Sequence, residues 1–375
     1  MISASVVLFT TDVFAPPFVP GNLVVVQVGT GAAPLSSSAT AASLLEFTAL
    51  GSLMQTINLP TAVSGLNQPL TLSGTATSEG FLTLSVNGQY LTMAGYAAVP
   101  DTASPQTSTP SAVNRVVGRI DLLGSIDTTT ALNDAYNGSN IRSAVSSDGF
   151  NIWTSGNGGS GQGASAGIRY TTFGASTSVQ LNSTSTNMRL VNSYNGQLYA
   201  ASSTGTLLGV STVGTGMPTT SIGGAPTALP GMPTTGTHSA YDFWFRDANT
   251  LYLADDGSAA NSGGIQKWTL SGGTWSLQYT LLNNGTTTTG CRGLAGTVDG
   301  SGNAMLFATT SVATSANTLI SVTDTGAGAV ATVLATAPAN TAFRGVEYLV
   351  SVIPEPGSSG LVLLGLLMLV RARKH

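Results

Sequence analysis

The side chains that most often carry catalysis or bind metals are scarce in this sequence. It holds one cysteine, Cys291, and two histidines, His238 and the terminal His375. A structural zinc site needs about four Cys or His ligands, and a Ser-His-Asp triad would have to use His238 without a G-x-S-x-G turn to present the serine. We therefore predict a buried, unreactive Cys291, a surface or structural His238, and no metal or cofactor.

Two other motifs resemble functional sites only in part. Asp255 and Asp256 are adjacent, so on a strand they point to opposite faces and do not form an acid/base pair. The loop after them lacks the Asp-x-Asp-x-Asp spacing of an EF-hand, so an Asp-Gly turn is favoured over a Ca²⁺ site. Residues 156–161 spell GNGGSG, but a dinucleotide motif needs a following helix, and this sequence remains Gly/Ser-rich. A loop is predicted there.

Arginine recurs at one position of a faint internal repeat. Each unit opens with an alternating apolar strand, and its second position is occupied in turn by Arg142, Arg189, Asp242, Arg292 and Arg344, which are 47 to 53 residues apart. If these strands are innermost in a ring of repeats, the five side chains recur at one level of a central channel. Guanidinium groups offer paired donors, so one hypothesis is capture of an anionic group such as a sugar carboxylate.

The alternative is that each arginine braces its neighbour. In that case the guanidinium groups bond carbonyl groups at strand ends, or the carboxylates of Asp242 and Glu347. The sequence favours bracing over ligand capture.

The repeat that positions these residues indicates a β-propeller. Phe81 stands seven residues before Gly88, as Arg142 stands before Gly149, so a sixth unit precedes the other five. Further strand candidates between the units, such as 264–270 and 275–281, give about four strands per unit. A period near 50 residues with four strands is typical of a propeller blade.

The two ends of the repeat region complement each other. The last unit stops after FRGVEYLV, whereas the chain begins with three strand candidates that lack a first partner, starting near Pro20, Leu44 and Leu53. Joining them completes a blade and removes exposed sheet edges. We expect an all-β, six-bladed propeller closed by N- and C-terminal strands; a seven-bladed ring, a stack of β-sandwiches and a β-helix are the alternatives.

Composition agrees with an all-β body and argues against nucleic acid as a partner. Only 7% of the 375 residues are charged, with four Glu and two Lys, whereas Gly alone contributes 46 residues. Helices draw on Glu and Lys, while Thr, Val, Ser and Gly suit strands and turns. The net charge is −4, and no cluster of basic residues occurs before the C-terminus. Few Lys or Arg side chains are therefore placed to displace counterions from a nucleic acid, which is the main source of affinity for it.

The C-terminus, residues 352–375, combines three different parts. Pro354, Glu355 and Pro356 form a stiff extended tripeptide, and Leu361 to Val370 is an uncharged apolar run. The run is followed directly by the basic residues Arg371, Arg373 and Lys374. By the positive-inside rule these would stay in the cytoplasm, so a hydrophobic helix with a membrane stop is predicted.

This order resembles the PEP-CTERM sorting signal of Gram-negative bacteria, with Pro354, Glu355 and Pro356 matching its tripeptide. The resemblance implies recognition by an exosortase, a transient inner-membrane anchor, and export to the cell surface or extracellular matrix, often alongside exopolysaccharide. It covers only residues 352–375. From Gly357, the apolar stretch has fourteen residues, shorter than the roughly 20 that span a bilayer core.

An exported protein is also expected to begin with a signal peptide. Residues 1–17, however, have no basic n-region and no clear cleavage site. We expect either a start within a longer reading frame or a mature form.

The sequence thus predicts an exported body, residues 1–351, and a sorting tail. The leading function is a non-enzymatic surface or matrix protein that contacts polysaccharide or other proteins. A secreted glycosidase or lyase on a propeller scaffold is the alternative, and a self-assembling coat is the third.

Overall fold

The computed structural model describes residues 16–286, 288–311 and 316–350. These residues form six four-stranded antiparallel sheets, arranged as the blades of a β-propeller, and one short two-stranded sheet. The predicted all-β, six-bladed fold is therefore confirmed. The sorting tripeptide, the hydrophobic helix and the basic end of the sequence lie outside the described residues.

The blades are numbered in chain order, and their strands are named from the innermost outward. In blades 1 to 3 the strands are Ala342–Tyr348, Leu23–Val28, Ala42–Phe47 and Leu53–Asn58; Leu82–Leu84, Tyr90–Tyr96, Arg115–Asp121 and Ile126–Leu132; and Ile141–Ser146, Asn151–Gly156, Gly167–Thr172 and Val179–Gln180. In blades 4 to 6 they are Val191–Tyr194, Gln197–Ala201, Val210–Thr212 and Thr227–Ala228; Ala240–Asp247, Thr250–Asp255, Gly264–Ser271 and Thr274–Leu281; and Cys291–Val298, Ala304–Thr310, Thr318–Thr323 and Thr332–Thr336.

Blade 1 closes the ring as the sequence predicts. Its innermost strand comes from the C-terminal side and pairs antiparallel with the first strand of the chain, with Leu23 opposite Tyr348 and Val28 opposite Ala342. The pairing continues just beyond the strands, since the Gly21 N–H donates to the Leu349 carbonyl at 2.7 Å. The strand Leu23–Val28 is thus paired on both sides, and Ala342–Tyr348 forms the inner edge of the blade.

The core consists of six apolar layers, one between each pair of neighbouring blades. The strand Leu23–Val28 shows how this arises. Val24, Val26 and Val28 pack toward blade 2, whereas Leu23 and Val25 pack toward blade 6. Because both faces of the strand are buried, its sequence LVVVQV is nearly all apolar.

Glycines allow the innermost strands to approach one another closely. A Cβ on Gly293 would lie 2.6 Å from the Arg344 carbonyl oxygen, and a Cβ on Gly345 would lie 2.4 Å from the Leu82 nitrogen and 2.6 Å from the Gly80 oxygen. Both glycines directly follow an arginine of the repeat. Backbone contact between blades 6, 1 and 2 therefore depends on the missing side chains.

The connections between blades contain little regular structure. Three 3₁₀ turns occur, at Pro105–Thr107, Gly163–Ser165 and Ala259–Asn261, and Ala39–Thr40 pairs with Leu72–Ser73. The Gly-rich segment 214–236 contains the short outer strand of blade 4, Thr227–Ala228. Within the described ranges, no helix is both long and apolar enough to cross a membrane.

The close approach at Gly345 predicts that Gly345→Ala destabilises the ring. The added methyl group would overlap backbone atoms of blade 2, and overpacking of this kind costs about 1–3 kcal/mol. Thermal unfolding of this variant should be compared with that of Gly300→Ala, because a Cβ on Gly300 meets nothing within 4 Å. Equal melting temperatures for the two variants would contradict the packing described here.

Candidate functional site

The arginines of the repeat lie where the innermost strands begin. Arg142, Arg292 and Arg344 are the second or third residues of their strands, and Arg189 stands two residues before Val191–Tyr194. In blades 1, 3, 5 and 6 the pairing between the first and second strands slips at this position. In blade 3, for example, Arg142 has no partner between the pairs Ile141–Gly156 and Ser143–Ser155. A bulge of this kind redirects one side chain out of the regular alternation.

Three of the four arginines contact the next blade around the ring. Their guanidinium groups donate to backbone carbonyl oxygens that lie before the next innermost strand or at its start. The hydrogen bonds are Arg142 Nη1 to Met188 O at 2.8 Å, Arg189 Nη1 to Ala240 O at 3.0 Å, and Arg344 Nη2 to Gly74 O at 2.9 Å. These contacts are the bracing that the sequence favours.

Arg292, in blade 6, contacts the preceding blade, blade 5, and not the next one around the ring. Its Nε lies 2.8 Å from Asp256 Oδ2, in the turn that follows the second strand of blade 5. Asp255, beside it, accepts hydrogen bonds from the N–H groups of Ser239 and Gly257 and is fully buried. The adjacent aspartates therefore serve separate structural contacts, as the turn interpretation anticipates.

Tyr241 lies among the arginines, although the sequence repeat singles out its neighbour Asp242. The Arg189 Cζ lies 3.8 Å from the Tyr241 ring centre, and the Arg292 Cζ lies 5.4 Å from it. The same ring is 6.2 Å from the ring of Phe81 in blade 2. Tyr241 thus connects opposite sides of the channel, and sequence analysis missed it because the bulge in blade 5 cannot be read from spacing.

Asp242 and Glu347 hold neighbouring blades together through backbone donors. Asp242 accepts the N–H of Leu294 in blade 6 at 3.0 Å, and Glu347 accepts the N–H of Leu84 in blade 2 at 3.0 Å. Each also accepts the N–H of the residue that follows it. Neither carboxylate forms an ion pair with an arginine of the repeat among the described residues.

A second polar network lies next to the cluster, in blade 2. Glu79 accepts hydrogen bonds from the Tyr96 hydroxyl at 2.6 Å, from the Ser73 N–H at 2.9 Å and from Asn140. Burial raises the pKa of Glu79 despite these donors. The Arg115 guanidinium, fully buried, stacks on the Tyr96 ring at 5.2 Å.

The described residues show no group of His, Cys, Asp and Glu that could hold a metal ion. Cys291 is fully buried on the innermost strand of blade 6, and burial raises the pKa of its thiol to about 12. Only the thiolate is nucleophilic. Cys291 therefore packs as a small apolar side chain, as predicted.

An aromatic cleft lies between blades 4 and 5, on the opposite face of the propeller from the arginines. It has a volume of about 500 Å³ and is lined by Tyr194, Tyr199, Phe245, Leu270 and Trp275, with Asn195, Gln197 and Thr212 among its polar residues. Tyr194 is the last residue of its innermost strand, and Gly273 lies in the turn between the outer strands of blade 5. The cleft therefore opens beside the hairpin turns.

The rings of the aromatic cleft are ordered by mutual contact. Tyr194 and Phe245 stack with centroids 4.8 Å apart and an interplanar angle of 15°. Tyr199 and Trp275 contact the same Phe245 ring at 4.7 and 6.0 Å. Among the described residues, neither the Tyr194 hydroxyl nor the Tyr199 hydroxyl has a hydrogen-bond partner. Two free phenol groups on a preformed aromatic wall are suited to bind a polar ligand that has flat apolar faces.

No family model matches the chain, and no curated protein matches it. The solved structures that resemble it include AztD from Citrobacter koseri, with a TM-score of 0.35 and 12% identity over 83% of this chain and 70% of that one. The WD40 domain of Toxoplasma gondii coronin gives a TM-score of 0.41 and 10% identity, covering 87% of this chain and 68% of that one. A hypothetical selenium-binding protein from Sulfolobus tokodaii gives 0.37 and 9%, covering 88% and 94%. Similarity at this level transfers no function to this chain.

The burial of Glu347 predicts how the stability of the protein depends on pH. Desolvation by the surrounding protein raises its pKa from 4.5 to about 7 in the folded state. The folded protein then holds a proton that the unfolded chain releases, so the free energy of unfolding falls as the pH rises through this window. Between pH 5 and pH 8, the melting temperature of the wild type should fall by roughly 2–4 °C more than that of Glu347→Gln.

Burial also raises the pKa of Asp242, so Asp242 makes the free energy of unfolding fall with rising pH in both proteins. The charge of Glu347 contributes to the raised pKa of Asp242, so Glu347→Gln also weakens the pH dependence that comes from Asp242, and the two effects on the difference have the same sign. Parallel melting curves across this pH range would show that Glu347 is ionised in the fold.

Proposed function

We propose that this chain is an exported, non-enzymatic surface or matrix protein that contacts extracellular polysaccharide through the aromatic cleft. The observation that carries the proposal is the stack of Tyr194 on Phe245, with Tyr199 and Trp275 beside it. Sugar rings present flat C–H faces that pack on aromatic rings, while their hydroxyls bond groups such as a free phenol.

The dimensions and polarity of the cleft suit a saccharide. Its volume, about 500 Å³, lies within the usual range for small-molecule sites. No Lys, Arg, Asp or Glu is among its lining residues, so an uncharged sugar loses no ion hydration by entering it. The turn residues Asn195 and Ala248 are exposed at its rim, which leaves room for a polymer to continue beyond the bound unit.

The destination of the protein is proposed from the tail alone. Pro354, Glu355 and Pro356, the apolar run and the basic end with Arg371, Arg373 and Lys374 stand in the order of a PEP-CTERM signal. In this proposal an exosortase-type enzyme in the inner membrane processes the tail, and the propeller is released to the cell surface or matrix. A chain with only 7% charged residues and a net charge of −4 is better suited to contact an uncharged polysaccharide than a polyanion.

Removal of the Tyr194 ring should weaken polysaccharide binding. Loss of one stacking ring costs about 0.5–1.5 kcal/mol, so Tyr194→Ala should lower affinity roughly three- to tenfold. Affinity electrophoresis in gels that contain the producing bacterium's own exopolysaccharide measures this as a change in retardation. Phe150→Ala is the matched control, since Phe150 is 55% exposed in a hairpin turn of blade 3, away from the cleft. Equal retardation of both variants and the wild type would exclude the cleft as the binding site.

The sorting proposal is tested by deleting residues 354–375. Without the tail the protein should fail to reach the cell surface and should accumulate in a soluble fraction, because neither the recognition tripeptide nor the anchor remains. Glu355→Ala should leave an unprocessed precursor of higher mass, whereas Ser358→Ala, four residues beyond Pro354, should be processed normally. Fractionation followed by immunoblotting distinguishes these products, and surface delivery of the deleted form would refute the sorting role.

A further inference from the structure

The arginines of the repeat bring several positive charges together at the start of the innermost strands. Four guanidinium groups, those of Arg142, Arg189, Arg292 and Arg344, surround Tyr241 or lie near it. Arg142 is 9% exposed and Arg344 is 4% exposed. Burying charges without equal compensation is costly, so such a cluster requires a physical explanation.

Three carboxylates of the described residues lie near the cluster, those of Asp255, Asp256 and Glu79, and one of them forms an ion pair with an arginine of the repeat. Asp256 is paired with Arg292 at 2.8 Å. Glu79 interacts electrostatically with Arg344 and Arg142 at longer range. Its hydrogen bonds come from Tyr96, Ser73 and Asn140, and not from either arginine. Burial and the charge of Arg189 lower the pKa of Arg142 to about 10, which still leaves it protonated at neutral pH. Arg142 therefore stays charged without an ion-pair partner among the described residues.

The cluster also has donors that the fold does not use. Arg142 Nε and Arg292 Nη1 are buried without a hydrogen-bond partner among the described residues. Arg142 already bonds Met188 and Asn187 through its Nη1, so bracing does not account for the Nε. A buried donor without an acceptor costs about 1–3 kcal/mol, and an oxyanion would satisfy such donors.

A ligand can reach part of this cluster from solvent. Arg189 retains partial exposure, and the Arg292 side chain is 16% exposed. The loop that carries Thr77 crosses beside Tyr241, with the two side-chain oxygens 3.5 Å apart. Arg189 and Arg292 both flank the Tyr241 ring, so a small group that enters here meets guanidinium groups from two blades.

We propose that the cluster of Arg142, Arg189, Arg292 and Tyr241 binds a small oxyanionic group at the mouth of the propeller channel. The shared chemistry is a carboxylate, phosphate or sulfate held by charge-assisted hydrogen bonds. This site is independent of the aromatic cleft, because it lies on the opposite face of the propeller and shares no lining residue with the cleft.

The test is a thermal-shift and calorimetric titration of the full chain at constant ionic strength, with glucuronate, inorganic phosphate and sulfate as probes. Glucose and chloride serve as the neutral and monatomic controls. At least one oxyanion should give a saturable rise in melting temperature, and comparison of the three identifies the preferred source. Absence of any saturable response to all three probes overturns the proposal.

Variants separate binding from bracing. Arg189→Ala should weaken anion binding about tenfold or more, since it removes a charged donor beside Tyr241. Arg169→Gln is the matched control, because Arg169 is a buried arginine paired with Asp134 away from the channel. Arg189→Lys, which keeps the charge, should recover part of the affinity. If Arg189→Ala lowers the melting temperature but leaves anion affinity unchanged, the arginine only braces the fold and the proposal fails.

Discussion

The structure depends on the antiparallel pairing of the two chain ends in blade 1. In the part of the chain that the structure describes, every apolar layer lies between two blades, and no blade has a core of its own. Without the strand Ala342–Tyr348, the strand Leu23–Val28 would lose its inner partner. The two apolar layers that lie between blade 1 and its neighbours, blades 6 and 2, would then be partly exposed. Closure of the ring is thus the condition under which all six layers are buried at once.

Polar contacts along the innermost strands fix the blades against one another. Each of the six interfaces has at least one such contact near the channel. In three of them a carboxylate or hydroxyl oxygen accepts a backbone N–H: Glu347 from Leu84, Ser143 from Val191, and Asp242 from Leu294. In the other three a side chain donates to a backbone carbonyl oxygen: Thr83 to Ala144, Arg189 to Ala240, and Thr309 to Arg344. All six involve a backbone group, so a chain with few charged residues can still orient its blades.

Much of the fold could be read from the sequence, because it is encoded by a repeat. The arginines at one position, together with Phe81 and Asp242, placed the innermost strands of all six blades correctly. The incomplete first and last units predicted the closure. Alternation, turn residues and spacing are local properties, so they survive in a single sequence.

The site was less predictable, because it depends on geometry that spacing does not encode. A bulge at Tyr241 and Asp242 sets Tyr241 among the arginines and turns Asp242 to a backbone donor in blade 6. The aromatic cleft combines Tyr194 with Trp275, which lie in different blades and become neighbours only when these pack. Trp275 is buried, yet it also forms part of a wall that a ligand could touch.

The closure of blade 1 also decides where any C-terminal tether leaves the body. Innermost strands run in the same direction around the ring, so Tyr348 ends at the same face as Tyr194. The Leu349 N–H still bonds to the Asn22 carbonyl there. In the sorting proposal, a membrane attachment beyond Val350 would therefore start from the cleft face, opposite the arginines. Proteolytic release would then separate that face from the attachment, with no change in the fold itself.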